Sequence, residues 1–181
     1  MNLTLFAVLL CLSGCGSGPG LGDYLDQGAG TVGTPPAGAP PGSTKTDPSL
    51  DAEENAFLGI INEYRASQGL GALVVSPTLE TSSRWLSQDM AAKGYFDHTD
   101  SLGRDFGTRL SAFGYGASTA GENIAAGNAD AQSTFTQWKN SPGHNANMLG
   151  SGYKAIGIAR YYDASSPYGW YWTTDFGSST Q

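Results

Sequence analysis

Cysteine is nearly absent from this chain: Cys11 and Cys15 are its only two, both within the first fifteen positions. The rest therefore has no disulfide, no thiolate metal site and no cysteine nucleophile, and must be stabilised by packing. Positive charge is scarce too. Nine Lys and Arg stand against sixteen Asp and Glu, a formal net charge of -7. An acidic chain without a basic stripe repels phosphate backbones, which excludes nucleic acid as a partner. The apolar run Leu3 to Leu12 is too short to cross a bilayer as a helix. No internal repeat is visible, and no Gly-x-Ser-x-Gly elbow marks a serine nucleophile. Histidine is limited to His98 and His144.

The start of the chain reads as an export signal over residues 1–15: an apolar run, then the small residues Ser13, Gly14 and Cys15. Leu12-Ser13-Gly14-Cys15 resembles the lipobox of bacterial lipoproteins, which implies acylation of Cys15 and attachment to a membrane through it. Each buried CH₂ of such an anchor contributes about 0.8 kcal/mol. Gly16 is not the aspartate that favours inner-membrane retention in that family, so the resemblance points to an outer membrane where two exist. The alternative is an ordinary cleaved signal and a secreted product. Residues 16–48 change to Gly, Pro, Ser and Thr, as in Thr34-Pro35-Pro36-Ala37-Gly38. Such a segment buries too little apolar area to offset its ordering entropy and reads as a disordered tether. The folded domain is expected over 49–181.

Within it, the spacing predicts a helix from about Leu50 to Gln68, with Asp47 or Ser49 as cap, Pro48 in the first turn and Phe57, Ile60, Ile61 and Tyr64 facing the core. Ser76-Pro77 opens a second helix, with Leu79, Leu86 and Met90 on one face and Gly94 at its end. A third is expected near Arg104–Phe113, and a fourth from Ala129 to Asn140, capped by Asn128. Gly121–Ala125 reads as extended, Ser141-Pro142 as a turn, and Tyr153–Tyr162 and Tyr168–Phe176 as strands. Helices early and a hairpin late favour α+β, with helices on both faces of a sheet.

Both histidines lie in Gly-, Asn- or Asp-rich surroundings, and Glu122 sits in a weakly charged, glycine-bearing strand. A carboxylate there must be paired, hydrogen-bonded or functional. Imidazole and carboxylate together suit zinc and related divalent ions. Spacing alone does not join them, because His98, Glu122 and His144 are each more than about twenty positions apart, and no short metal motif has that form. A turn-forming His144, a surface His98 and a Glu122 accepting backbone hydrogen bonds remain open readings.

Five segments in order resemble the CAP (SCP-like) superfamily of cysteine-rich secretory proteins, in its short bacterial form. They are Ile61-Asn62-Glu63-Tyr64-Arg65, Phe96-Asp97-His98, Gly121-Glu122-Asn123-Ile124, Trp138 to Leu149, and Tyr171 to Gly177. The resemblance covers about Leu50 to Gly177. It implies a three-layer α-β-α sandwich with a central cavity, where two histidines and two glutamates can hold a divalent cation. His98, Glu122 and His144 match three of those positions, and the metal they imply is most simply zinc. The fourth departs: after Trp138 stand Lys139, Asn140 and Ser141, so Asn140 or a water is expected to fill the gap, with Asn123 and Trp138 supporting the cavity.

Two neutral imidazoles and one carboxylate leave an open coordination position and one negative charge fewer than the family set. Three functions follow from the resemblance and the residues. The domain is an anchored or secreted module holding a small-molecule, lipid or protein ligand; or a metal-dependent hydrolase of the envelope; or a structural envelope protein. A serine–histidine pair also stays open. Trp170 and Trp172, like Trp138, are expected mainly as core.

Overall fold

The computed structural model describes residues 47, 49–116 and 119–180. The expected signal with Cys15, and the tether with Pro48, lie outside the described residues, except for Asp47. That residue belongs to the fold: its N–H donates to Asn55 Oδ1 at 2.7 Å, and Asn55 Nδ2 returns a bond to its carbonyl at 3.0 Å. No helix among the described residues is long and apolar enough to cross a membrane.

Helix α1 spans Ala52–Ser67, and its cap is Asp51 rather than Asp47 or Ser49. Asp51 accepts from Glu54 N while Glu54 Oε2 accepts from Asp51 N, at 2.8 Å each, so two otherwise orphaned donors are satisfied reciprocally. The other Glu54 oxygen accepts from Arg160 N at 2.8 Å, tying this helix start to the sheet. Burial, the largest influence on Glu54, raises its pKa despite these bonds. A two-residue strand, β1 (Val74–Val75), follows; nothing in the sequence pattern announced it. Helix α2 spans Pro77–Lys93, with Ser76 as cap, Pro77 at its first position and Gly94 in the left-handed conformation (φ 68°) at its end, as expected.

Helix α3 is shorter than expected, Phe106–Ala112, because Asp105 caps it by accepting from Thr108 N at 2.7 Å. Strand β2 covers Ala120–Ala126. Helix α4 is Ala131–Lys139, started by Asp130 rather than Asn128. The turn expected at Ser141-Pro142 is a helix, α5 (Pro142–Met148). Strands β3 (Ala155–Tyr162) and β4 (Trp170–Gly177) form the expected hairpin.

The sheet order is β1-β3-β4-β2, with β1 parallel to β3 and the other pairs antiparallel. Alternation assigns its faces. Ile156, Ile158, Trp172, Phe176 and Ala125 join Phe57 and Ile61 of α1, Phe135 and Trp138 of α4 and Met148 of α5. On the opposite face Ala155 meets Leu79, Phe106 and Leu110, while Ile124 and Tyr171 meet Leu86 and Met90. The result is the α+β three-layer sandwich, α1/α4/α5 over the sheet over α2/α3.

Close approach of α2 depends on Gly157. A Cβ there would run into the backbone of Leu79 and Glu80, and backbone cannot yield as a side-chain tip does. Gly157→Ala is expected to destabilise the domain by about 2–3 kcal/mol. Gly152→Ala, where a Cβ meets nothing within 4 Å, should change little; urea denaturation of both variants checks the contrast.

Candidate functional site

Register pairing puts Glu122 directly across from Asp175. Both share the strand face of Ile124 and Tyr171, so their side chains enter the layer between the sheet and α2/α3. In α3, Phe106, Arg109 and Leu110 follow i, i+3, i+4 spacing, which turns Arg109 inward with its two apolar neighbours. Its guanidinium is wholly buried. Nη2 pairs with Glu122 Oε2, and Nη1 donates to the His98 carbonyl at 2.9 Å. The second Glu122 oxygen lies 2.7 Å from His98 Nδ1. Glu122 is 2% exposed while the His98 side chain is 48% exposed, so an imidazole at the surface is held from beneath by a buried carboxylate.

Burial works to lower the Arg109 pKa, but Glu122 and then Asp175 outweigh it and leave it raised. Asp175 is driven well above the ordinary carboxylate range, first by burial and then by Glu122, with Arg109 opposing. Ser83 bridges backbone and side chain of Asp175, donating to Oδ2 at 3.0 Å and accepting from its N–H at 3.2 Å.

The backbone of His144 is held from the other face of β2. Asn123, next along the strand from Glu122, faces the α4/α5 layer with Ala125 and donates through Nδ2 to the His144 carbonyl at 3.1 Å. Asn147 Nδ2 donates to the Glu122 carbonyl at 3.0 Å and to Asn123 Oδ1 at 2.9 Å. The imidazole of His144 stacks on Trp138 with centroids 6.2 Å apart, and Trp138 Nε1 donates to the Ile124 carbonyl at 3.1 Å. His144 Nδ1 lies 2.8 Å from Ser141 Oγ, so the serine that starts α5 serves the imidazole and makes no side-chain cap bond. Burial first, then His98, lowers the His144 pKa. Arg65 anchors the far end of α5, donating to the carbonyls of Met148 at 2.8 Å and Gly150 at 3.1 Å, and to Gly71 at 2.9 Å.

Of the residues expected at the site, the structure joins His98 to Glu122 and seats His144 on Trp138 and Asn123. Asn140 ends α4 as an exposed residue, and its neighbour Ser141 is the one that reaches His144. Glu122 does not accept the backbone hydrogen bonds considered for it; both oxygens are occupied by side chains. Arg109 and Asp175 were not singled out from sequence. The signals were there: a cation on the apolar face of a short helix, and an acid in a strand covered on both faces.

Of the three expected ligands, His98 touches Glu122, while the His144 ring touches Ser141 and Trp138. Glu122 is neutralised by a buried guanidinium, and the His144 ring lies near enough to His98 for that group to lower its pKa. Among the described residues no group of three His, Cys, Asp or Glu is arranged to hold a metal.

Comparison with known proteins agrees with the fold. Residues 58–176 match the family model of CAP, the cysteine-rich secretory protein family. The uncharacterized protein YkwD of Bacillus subtilis is 36% identical over 135 residues, 74% of this chain and 50% of YkwD. An extracellular protein containing an SCP domain from Bacillus anthracis has 27% identity and a TM-score of 0.61, over 68% of this chain and 39% of that one. An outer surface protein of Borrelia burgdorferi is similar in fold, at 21% identity and TM-score 0.64 over 71% of this chain and 95% of its own. This chain thus spans half of YkwD, and 32% of another Bacillus subtilis relative, the uncharacterized membrane protein YlbC.

Asp175 yields a pH signature. Its folded pKa lies above the ordinary value of 3.8, so the native state binds this proton more tightly than the unfolded chain. The stability it contributes is full below 3.8 and is lost as pH rises through the raised folded value. Glu122, Arg109 and Ser83 face it and remain in a variant. Asp175→Asn, neutral at every pH, should therefore flatten a decline of up to about 1.4 kcal/mol per pH unit. Denaturant midpoints of both proteins, measured from pH 3.8 upward, check it.

Proposed function

Because the chain belongs to the CAP family of cysteine-rich secretory proteins, we propose that it is an exported module, anchored through acylated Cys15, that binds a ligand at the surface around His98. The observation that carries this reading is the contrast between partners: His98 is half exposed, and Glu122 behind it is buried. A ring fixed from beneath loses little freedom on binding, which is how a recognition group is preorganised. The ligand is a small molecule, a lipid or a protein surface, and the net charge of -7 disfavours polyphosphates. The extracellular and outer-surface descriptions of the Bacillus anthracis and Borrelia burgdorferi proteins support a place outside the cytoplasm. The lipobox-like Leu12-Ser13-Gly14-Cys15 supports the anchor.

Glu122 orienting His98 also favours a second reading, a hydrolase in which His98 is the general base. No nucleophile other than water is assigned to it.

Two measurements test the proposal. Cys15→Ser should move the protein from the membrane fraction to the medium; equal fractionation of both forms removes the anchor. Titrating isotope-labelled protein with envelope lipid extract and with solubilised wall digest should shift the amides near His98, Glu122 and His144 together, and His98→Ala should abolish the response. Shifts that ignore this substitution leave the structural-protein reading.

A further inference from the structure

We infer that Arg109 is the built-in cation of this site and that the charge balance around Glu122 is closed without a divalent ion. The inference goes beyond ligand binding and concerns what holds the site together. Three observations converge on it. The guanidinium is buried and contacts both the Glu122 carboxylate and the backbone carbonyl of His98, so one cation fixes the carboxylate and the loop that bears the imidazole. Asp175, cross-strand from Glu122, supplies a second acid facing the same cation. And the stretch after Trp138, where the family carries its second glutamate, begins in this chain with Lys139, whose Nζ lies 4.9 Å from the centroid of the Tyr64 ring.

Charge counting decides between the two cations. Glu122 and Asp175 together offer at most two negative charges, and Arg109 already takes one. A dication would meet at most one remaining negative charge, in a layer where an unbalanced charge is expensive. A guanidinium is also geometrically suited, since its fork donates in two directions at once. In this arrangement Glu122 is a positioning residue for His98.

The test uses the full chain, with zinc chloride and EDTA as probes. Wild type should melt at the same temperature in either, whereas a site saturated at about 100 times its Kd would raise the midpoint by several degrees. Arg109→Met leaves a buried carboxylate unpaired and should lower the midpoint by about 10 °C. The double variant Arg109→Met/Glu122→Gln, with neither charge, should regain more than about half of that loss. Zinc should stabilise Arg109→Met more than wild type. If Arg109→Met does not fold, Glu122→Gln decides, because it strands the guanidinium and should lower the midpoint too. Saturable zinc stabilisation of wild type, lost in both Glu122→Gln and His98→Ala, overturns the inference, as does an Arg109→Met protein as stable as wild type. The His98 ligand response is a separate readout, so either proposal can fail alone.

Discussion

A carboxylate placed in the middle of a strand with helices on both faces is one of the harder demands a sequence can make of a fold. Glu122 sits there because β2 carries it, and alternation gives its side chain no route to water except past the loop that bears His98. The guanidinium of Arg109 answers that demand. It helps fix where α3 lies, because this seven-residue helix gains both an ion pair and a carbonyl bond at one residue, beside the buried Phe106 and Leu110. It also acts on Asp175, which faces it from the next strand and holds its proton because of burial first and Glu122 second, with the guanidinium opposing both.

The way each histidine is held follows from the same alternation. Glu122 and Asn123 are neighbours in sequence, yet they point into different layers, and each takes one histidine: Glu122 the ring of His98, Asn123 the backbone of His144. The site is thus assembled around a strand. Its two halves have different mechanical support, α3 and the loop before it on one side, α4 and α5 on the other. Arg65 secures the second half through carbonyls alone, at the C-terminal end of α5 where a cation is favoured.

Most of this architecture could be read from the chain before its coordinates. Helix α2 carries every local signal at once, from Ser76-Pro77 to Gly94, and its boundaries match. The starts of α1 and α4 were displaced because several candidate caps lie close together, and which one bonds depends on where the rest of the chain holds the helix: Asp51 wins through Glu54, itself tied to β3. Strand β1 was illegible because two residues have no periodicity. His98, Glu122, His144, Asn123 and Trp138 were marked by ordered family motifs, which locate residues but do not say which atoms touch. Asp175 stands within the last of those motifs without a role read from it, Arg109 stands in none, and they approach one another only through strand register and the docking of α3.

One side of the sheet ends at β2, whose alternate residues present backbone groups away from β4. An open edge of that kind is a template for another strand. Here the Glu122 and Ile124 carbonyls are already taken, by Asn147 and by the indole of Trp138. The side chains that seat His144 therefore also stopper the sheet against adding a strand from a second molecule. Substitution at Asn147 or Trp138 would reopen this edge as well as loosen the hold on His144.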